Sequence, residues 1–402
     1  MEDYIIIPLI LTLFMNLYLN KTKVLISTHF NYRTEQNEDT DSRLANYLKD
    51  KVRKVVLIAQ PFPEYNHRFS YLSIFENGIR VKSEKFYIPA GPSLLQFLYH
   101  ILLLYYLLFF KAGVNFDLCI AMENLSFNAL YPLRLVRLIR RLVYYSIDFV
   151  PKRFSNVVLN KIYQLMDKSG FKYSDNAWVM TEEQFNKRSV LGINISNSIP
   201  VTIVPIGYDI EKINVNPIEK INFYSIIYAG ALRESTGPEL AIKTVPLLIK
   251  SYPKIKLTII GSGKDSDKLQ KLIRNLKLNK FIDFKGYIAN FYELTNILAK
   301  SSIGLAPYKP IQESFSYFSD PSKLKLYMCC GLPVITTDMT TMSDLISKTG
   351  SGLIINYSEK SLASAISYLL ENRKRYLTYK NAAIKLSPKF DINHILDRKS
   401  VV

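Results

Sequence analysis

The chain has 402 residues, more than one hydrophobic core normally serves, and this length predicts two domains. Apolar residues make up 48% of the chain and its mean hydropathy is +0.04, values that exclude an intrinsically disordered protein. The net charge is +18, carried by scattered lysines and arginines rather than by a basic tail. This distribution argues against nucleic acid as a partner and favours anionic small molecules or an anionic membrane surface.

The first predicted element is an apolar segment, residues 4–19, which Lys21 and Lys23 follow. It is short for a membrane span and lacks the small-residue cleavage site of a signal peptide. We interpret residues 1–20 as a hydrophobic segment that either anchors the protein or lies in the membrane interface. A start of translation at Met15 is the alternative. The basic flank then places the protein at the cytoplasmic side of the cell membrane, as a peripheral protein or with one N-terminal anchor.

Residues 21–206 alternate short β-rich runs with helical patterns, which predicts a parallel sheet covered on both faces. The strands are predicted at 24–28, 55–59, 85–88, 117–121, 143–147 and 177–180. The helices are predicted at 41–50, 94–110, 127–141 and 157–168. The oily run 94–110, LLQFLYHILLLYYLLFF, lies between two strands, so we interpret it as a crossover helix that is partly core and partly membrane-touching.

Residues 207–222 are polar and show neither the helical nor the strand periodicity of apolar residues, so they are the predicted linker. Residues 223–402 form the predicted second domain. Strands are predicted there at 224–229, 256–260, 281–284, 303–306, 333–336 and 352–355. Helices are predicted at 238–250, 265–276, 291–299, 322–330 and 360–371, and the end of the chain is allowed to pack back on the first domain. The predicted fold class is α/β, with two doubly wound Rossmann-like domains facing across a cleft and ligands at the carboxyl ends of the strands.

The stretch 319–338, SDPSKLKLYMCCGLPVITTD, predicts an anion site. Pro321 stands at a helix start and Gly331 just past its end. Backbone amides near Ser322 and Lys323 lack partners inside such a helix, and Lys323 adds a positive charge. The expected ligand is a phosphate or a diphosphate.

The three cysteines show no metal-ligand spacing and fit a reducing compartment.

Several motifs of the second domain occur in an order that carries a family resemblance. They are YAGALRESTGPELAIK, KLTIIGSGKDSDKLQKLI, IDFKGYI, SSIGLAPY and PSKLKLYMCCGLPVITTD. This series resembles the donor domain of GT-B glycosyltransferases of the group 1, family 4 type, and residues 144–181 resemble the acceptor domain of one branch of that family. The resemblance implies stereochemistry-retaining transfer from a nucleoside-diphosphate sugar, with neither a bound metal nor a further cofactor.

In the resembling family an Arg after the first glycine and a Lys before the second clamp the diphosphate. Here those places hold Ala231 and Thr236, a departure from the pattern. Gly230 allows close backbone approach, and we expect Arg233 and Lys323 to replace the missing cations. If they do not, the donor site is impaired.

The loop that contains Gly261 and Gly263 satisfies neither a dinucleotide fingerprint nor a P-loop. The resemblance implies that these glycines let the loop pass beneath the nucleotide, and their use as a tight turn is the alternative.

The family also carries two glutamates eight residues apart, the second of which binds the donor ribose. Phe318 and Leu326 occupy those positions here. Glu313 and Asp320 are nearby acids, and we take Asp320 as the replacement contact.

Glu123, Asp148 and His29 follow three predicted strands of the first domain, so they are expected at the same edge of the sheet. A carboxylate there could orient or deprotonate an acceptor hydroxyl, and His29 could contact the acceptor or the sugar. An amphipathic basic stripe, suited to lipid headgroups or to a lipid diphosphate, is predicted on the helix 127–141 from Arg134, Arg137, Arg140 and Arg141. A solvated helix face is the alternative.

The sequence therefore predicts a retaining glycosyltransferase at the cytoplasmic membrane face. Its partners are a nucleotide-sugar donor, a lipid-linked or polysaccharide acceptor and the membrane surface, with no nucleic acid. Two alternatives stay open: a sugar-nucleotide epimerase of the same architecture, and a non-catalytic scaffold subunit that the lost Arg, Lys and glutamates favour.

Overall fold

The computed structural model describes residues 19–29, 39–61, 68–91, 93–150, 153–154, 156–190, 199–311 and 319–397. Most of the predicted N-terminal segment, and Phe318, therefore lie outside the described residues. The chain divides into two compact units. We call Met1–Gly207 with Ile392–Val402 the first unit, and Tyr208–Asp391 the second unit.

The first unit holds a sheet that, among the described residues, has eight strands. They are β1 Lys23–Thr28, β2 Lys54–Ala59, β3 Phe69–Glu76, β4 Ile79–Tyr87, β5 Leu118–Met122, β6 Leu142–Ser146, β7 Asn176–Val179 and β8 Val201–Ile203. Their order is β4-β3-β2-β1-β5-β6-β7-β8, and β3 and β4 run antiparallel at one edge. The order reverses between β1 and β5, which makes that pair the switch point of the first unit.

Helices cover both faces of this sheet. They are α1 Thr40–Lys49, α2 Ser93–Leu107, α3 Asn124–Leu135, α4 Val157–Tyr173 and α5 Glu182–Val190. Alternate strand residues face α1 or the opposite layer, where α2 and α3 pack, so the doubly wound prediction is confirmed.

The β3–β4 hairpin is a correction to the sequence prediction, which placed only one short strand at 85–88. Asn77 and Gly78 both have positive φ, 49° and 83°, the backbone of a tight hairpin turn. The Asn-Gly pair was the missed signal. Because β4 is exposed along most of its length, it lacks the apolar run by which the other strands were recognised.

The oily run forms α2 and a π-helical turn, Leu108–Ala112. Leu104 and Leu107 are fully buried, whereas Leu98, Leu102 and Phe110 are more than half exposed. Among the described residues, Leu95–Ala112 is long and apolar enough to cross a membrane by length and composition alone, and 39% of it is buried. The helix is therefore both a core element and an exposed apolar surface.

The predicted helix 127–141 is wrong at its C-terminal end. The helix α3 stops at Leu135, and Arg137 has a left-handed φ of 62°. The Leu138 amide returns to the Leu133 carbonyl, 2.9 Å away, and closes the end of the helix. Arg137, Arg140 and Arg141 therefore lie beyond the helix, and the predicted basic stripe does not form.

The second unit holds a parallel sheet of six strands among the described residues. They are β9 Ser225–Ala229, β10 Lys256–Ile260, β11 Ile282–Gly286, β12 Ile303–Ala306, β13 Val334–Thr337 and β14 Gly352–Ile355. The order β11-β10-β9-β12-β13-β14 is the 3-2-1-4-5-6 order of dinucleotide-binding folds. Its switch point lies between β9 and β12.

The helices of the second unit are α6 Pro238–Ile249, α7 Ser266–Asn275, α8 Phe291–Ala299, α9 Ser322–Cys329, α10 Ser343–Thr349, α11 Glu359–Leu370 and α12 Arg373–Leu386. The sequence prediction missed α10 and α12. The short final helix, α13 Ile392–Asp397, belongs to the first unit, where the Tyr47 hydroxyl of α1 donates to Asp397.

The stretch predicted as a linker belongs to the second unit except for Gly207. It packs along α8: Asn216 donates to the Ala299 carbonyl at 3.1 Å, and the Asn222 amide donates to the Lys300 carbonyl at 2.8 Å. Polar composition hid this packing, because the segment is held by amide hydrogen bonds rather than by an apolar period.

Candidate active site

Two glycines bring neighbouring loops of the second unit into backbone contact at the carboxyl edge of its sheet. A Cβ on Gly261 would lie 1.9 Å from the Gly230 carbonyl oxygen, and one on Gly263 would lie 2.2 Å from the Leu232 carbonyl oxygen. The Leu232 amide also donates to the Ser262 carbonyl at 3.0 Å. Gly261 and Gly263 thus allow the two loops to pack in backbone contact. This contact fixes the backbone around Gly230, where a ligand would bind.

Lys323, in the first turn of α9, reaches across to the loop after β9. A Cβ on Gly230 would lie 3.1 Å from its Nζ atom, so ammonium and glycine are neighbours. The Nζ atom lies 3.1 Å from the Tyr228 hydroxyl oxygen, 4.4 Å from the centre of the Tyr228 ring and 4.9 Å from that of Tyr308. Two aromatic faces therefore orient the predicted cation at the glycine turn.

Burial, assisted by the nearby positive charge of Arg233, lowers the pKa of Lys323 from 10.5 to about 7. Arg233 itself is exposed, on the loop between Gly230 and Gly237. The structure thus brings the two predicted cations together. Their mutual repulsion is relieved when an anion with two or more negative charges binds between them.

Thr236, which stands where the resembling family has a clamping lysine, ties the loop to itself. Its hydroxyl donates to the Ala231 carbonyl at 2.6 Å and lies 2.8 Å from the Arg233 carbonyl oxygen. The Tyr228 hydroxyl donates to the same Ala231 carbonyl at 2.8 Å. The departure from the family pattern therefore exchanges a ligand-binding cation for a neutral hydroxyl that stiffens the loop.

The predicted ribose contact, Asp320, is buried and forms an ion pair with Lys325, which is also buried. The two charges stabilise each other, so Asp320 acts first as the partner of Lys325 in holding the start of α9. Leu326 is 8% exposed and packs inward. The glutamate position of the resembling family is thus occupied by a core residue.

Ser322 differs from its predicted role in one respect. Its amide donates to the Asp320 carbonyl at 2.8 Å, so it is already engaged, and its carbonyl accepts from the Tyr208 hydroxyl at 3.0 Å. The side chain of Ser322 is exposed. The positive charge at this helix start therefore comes from Lys323 more than from a free Ser322 amide.

In the first unit the structure brings Glu123 and Asp148 together at the ends of β5 and β6. The Oε1 atom of Glu123 accepts from the Asp148 amide at 2.9 Å and from the Ile147 amide at 3.2 Å. Burial, assisted by the charge of Asp148, raises the pKa of Glu123 from 4.5 to about 8, and the hydrogen bond from the Asp148 amide opposes the rise. Glu123 also has a left-handed φ of 73°, a strained backbone for this residue type.

His29 follows β1 at the same edge of the sheet and is buried. Its Nδ1 atom lies 2.8 Å from the Ser126 hydroxyl oxygen, in the first turn of α3. Since Glu123 directly precedes that same helix, the three predicted residues of the first unit lie along one edge of its sheet, near the switch point. Which of them touches a substrate stays a prediction.

Sequence reasoning missed Tyr228, Tyr308 and Tyr327. The Tyr327 hydroxyl accepts from the Ala229 amide at 2.6 Å and lies 3.3 Å from the Leu305 carbonyl oxygen, so it joins the ends of β9 and β12 where the strand order reverses. Tyrosine in a strand or helix ordinarily packs in the core, and no local motif distinguished these three.

Comparison with known proteins relates the second unit to a family of enzymes. Residues 209–386 match the family model of glycosyl transferases group 1. An uncharacterized glycosyltransferase of Methanocaldococcus jannaschii is 29% identical over 194 residues, which cover 45% of this chain and 44% of the relative. The poly(glycerol-phosphate) alpha-glucosyltransferase of Bacillus subtilis is 28% identical over 176 residues, covering 43% of this chain and 24% of the relative. The chain thus spans less than half the length of both relatives.

Among solved structures, Anabaena HepE in complex with UDP-glucose superposes with a TM-score of 0.64 at 15% identity, covering 93% of this chain and 96% of that one. The chain therefore has the GT-B fold, as its sequence predicted. Within its second unit, residues 209–386 are similar to group 1 glycosyl transferases.

Proposed function

We propose that the protein is a retaining glycosyltransferase that moves a sugar from a nucleoside-diphosphate sugar to a lipid-linked or glycan acceptor at the cytoplasmic membrane face. The second unit binds the donor and the first unit binds the acceptor. No metal or further cofactor takes part in this proposal.

The observation that carries the proposal is the position of Lys323 against Gly230 at the switch point of the second unit. A diphosphate there meets two cations, Lys323 and Arg233, and a glycine without a Cβ to keep it away. Lys323 and Arg233 supply the two positive charges that the diphosphate loses with the missing Arg and Lys of the family pattern. A scaffold subunit would have no reason to hold a lysine with a lowered pKa between two aromatic rings.

In the proposed reaction the bond between the sugar and the diphosphate breaks while negative charge builds on the leaving diphosphate. Lys323 and Arg233 stabilise this charge, which is the main contribution a preorganised site can make. The acceptor hydroxyl attacks the anomeric carbon from the face that the diphosphate leaves, and the departing phosphate oxygen takes its proton. Glu123 and Asp148 orient the acceptor in the first unit.

The acceptor class and the membrane location are supported by the exposed surface of α2, α3 and α4, which lie on the same face of the sheet. The Tyr105 hydroxyl of α2 donates to the Ala129 carbonyl of α3, and α3 packs against α4. Large apolar side chains point outward along this layer, at Leu95, Leu98, Leu102, Tyr106, Phe109, Leu135, Val157, Val158, Ile162 and Leu165. We call them the outer apolar layer. With a net charge of +18, this surface suits an anionic bilayer.

The B. subtilis relative is named for transfer to poly(glycerol phosphate), a polymeric acceptor. That name agrees with a glycan or polymer acceptor for this chain, and HepE with UDP-glucose agrees with a UDP-sugar donor.

The test is binding and turnover of UDP-glucose, UDP-N-acetylglucosamine and GDP-mannose by the purified full chain, with membrane lipid extract as acceptor and EDTA present. We expect Lys323→Ala to weaken donor affinity by about tenfold or more, the equivalent of ~1.5 to 3 kcal/mol for a charge-assisted hydrogen bond. Lys348→Ala, an exposed lysine of the same unit, is the matched control.

The products separate the alternatives. Transfer with retained anomeric configuration, followed by NMR, supports the proposal. Conversion of the donor without an acceptor would show an epimerase instead. Absence of binding to every nucleotide sugar would show a scaffold.

A further inference from the structure

A row of polar side chains crosses the carboxyl edge of the first unit's sheet. Ser70 is the second residue of β3, Gln60 follows β2, His29 follows β1, and Ser126 lies in the first turn of α3 after β5. His100 of α2 lies over the row, with its ring centre 5.4 Å from that of His29. All five residues are at most 2% exposed, and Gln60, Ser70 and Ser126 are fully buried. We call these five residues the polar row.

The polar row lies on one face of the sheet. Strand residues alternate between faces, and Leu25, Ile58 and Leu72, which lie an even number of residues from His29, Gln60 and Ser70, pack in the layer beneath α2 and α3. Thr28 has the opposite parity and faces α1 with Val24 and Ile26. The alternation thus gathers the five side chains under the same two helices.

Two hydrogen bonds hold the row in place. The His29 Nδ1 atom lies 2.8 Å from the Ser126 hydroxyl oxygen, and the Gln60 amide nitrogen donates to the His100 carbonyl at 3.0 Å. These bonds fix the orientation of the His29 ring and of the Gln60 amide.

The side chains of His29 and Gln60 interact with each other. Ser70 Oγ and both ring nitrogens of His100, by contrast, have no hydrogen-bond partner among the described residues. Buried polar atoms in native proteins almost always have hydrogen-bond partners, so unpaired groups at the edge of a sheet point to a ligand that completes them. The row has more unmet hydrogen-bonding capacity than structural use explains.

The row is uncharged. Burial and the neighbouring His100 lower the pKa of His29, and the hydrogen bond with the Gln60 side chain opposes this only in part. Burial also lowers the pKa of His100 from 6.5 to about 4, so both rings are neutral at neutral pH. A neutral imidazole presents one donor and one acceptor, and the other members are an amide and two hydroxyls. Such groups match a hydroxyl, which also donates and accepts. They offer no cation for a phosphate.

We propose that the polar row is a binding subsite for an uncharged polyol, the sugar or glycerol head group of the acceptor. This inference rests on the proposed function, since it narrows the acceptor to one recognised through hydroxyl groups. The helix α2 connects the subsite to the outer apolar layer, because His100 faces inward while Leu98 and Leu102 of the same helix are 53% and 58% exposed. A glycolipid has a polyol head group for the inner side of this helix and an acyl chain for its outer, apolar side.

The test is an NMR titration of the full-length protein with its histidine rings labelled, using octyl glucoside and octyl phosphate below their micellar concentrations. We expect octyl glucoside to shift the His29 and His100 signals and to leave that of the exposed His394 in place. Octyl phosphate should shift neither buried ring. Shifts with octyl phosphate alone, or with neither probe, would overturn the polyol subsite.

Variants add a readout that a purely structural role would not move. His100→Phe keeps a ring but removes two unpartnered nitrogens, so its melting temperature should stay or rise while octyl glucoside affinity falls about tenfold. Thr28→Val removes an unpartnered hydroxyl from the opposite face and is the matched control, with unchanged affinity. Equal octyl glucoside affinity in His100→Phe and in the unsubstituted protein would contradict the assignment.

Calorimetry with UDP-glucose on the same samples keeps the two proposals separate. Histidine shifts without nucleotide-sugar binding would leave the polyol subsite and remove the transferase. Nucleotide-sugar binding without histidine shifts would leave the transferase and remove the polyol subsite.

Discussion

The Nζ atom of Lys323 lies 3.1 Å from the hydroxyl oxygen of Tyr228, which in turn donates to the Ala231 carbonyl at 2.8 Å. One hydroxyl thus ties the cation of α9 to the loop that follows β9. The helix-start motif places Lys323, whereas no local motif marks Tyr228, and their contact unites the two elements that the proposed donor site needs.

The first prediction is that Tyr228→Phe weakens UDP-glucose binding about threefold to tenfold. The ring, and with it the aromatic contact to Lys323, stays, whereas the hydrogen bonds to Lys323 and to the loop are lost at a net ~0.5 to 1.5 kcal/mol. Calorimetric titration measures the change. Tyr292→Phe, at a half-exposed tyrosine of α8, is the control and should bind normally.

The second prediction concerns pH. The pKa of Lys323 is lowered to about 7 by burial and by Arg233, so the side chain is charged below pH 7 and increasingly neutral above it. Because a diphosphate favours the charged form, affinity for UDP-glucose should fall by up to about tenfold per pH unit above pH 7. UDP-glucose suits the test since its diphosphate diester does not titrate between pH 6 and 9. Lys323→Arg should flatten the profile, and an equally steep profile in that variant would refute the assignment.

The third prediction is that Gly261→Ala destabilises the second unit by about 2 kcal/mol or more. Its Cβ would lie 1.9 Å from the Gly230 carbonyl oxygen, and its φ of 141° already strains any residue with a Cβ. Urea unfolding measures the loss. Gly91→Ala, where nothing lies within 4 Å, should be neutral, and equal stabilities for the two variants would contradict the packing role.

Much of the fold followed from sequence because its strands are buried on both faces and its helices have clear ends. Residues 291–299 and 303–306 were predicted as a helix and a strand with the observed bounds. The β3–β4 hairpin escaped because an edge strand needs no continuous apolar run, and α12 escaped because its hydrophobic pattern is weak.

The candidate site was less accessible to sequence reasoning. The positions of Gly230, Arg233 and Lys323 followed from strand ends and a helix start, but the pairing of Asp320 with Lys325 did not, because a charge in a motif gives no sign of its partner. The polar row escaped for a related reason: His100 lies inside the oily run 94–110, where it reads as one polar residue in an apolar helix.

The fourth prediction concerns Glu123, whose pKa is raised to about 8 by burial and by the charge of Asp148. The folded protein then holds a proton that the unfolded chain releases near pH 4.5, so the contribution of Glu123 to stability is lost as pH rises towards 8. Glu123→Gln keeps an oxygen to accept from the Asp148 amide but does not titrate. We expect Gln to be increasingly stabilising relative to Glu from pH 5 to pH 8, measured by urea unfolding. A constant difference across this range would show that Glu123 is ionised in the folded protein.

The last prediction tests the outer apolar layer. Leu98 and Leu102 are 53% and 58% exposed on α2, one helical turn apart, and a bilayer would remove both side chains from water. The double substitution Leu98→Asp and Leu102→Asp adds two negative charges there. It should reduce sedimentation with phosphatidylglycerol vesicles by about tenfold or more, while binding of UDP-glucose to the second unit stays unchanged. Leu247→Asp, at a 49% exposed leucine of α6, is the control for an added acid elsewhere and should sediment as the parent protein does. Equal loss in both variants would assign the binding to net charge alone, and no loss in either would place the membrane contact on another surface.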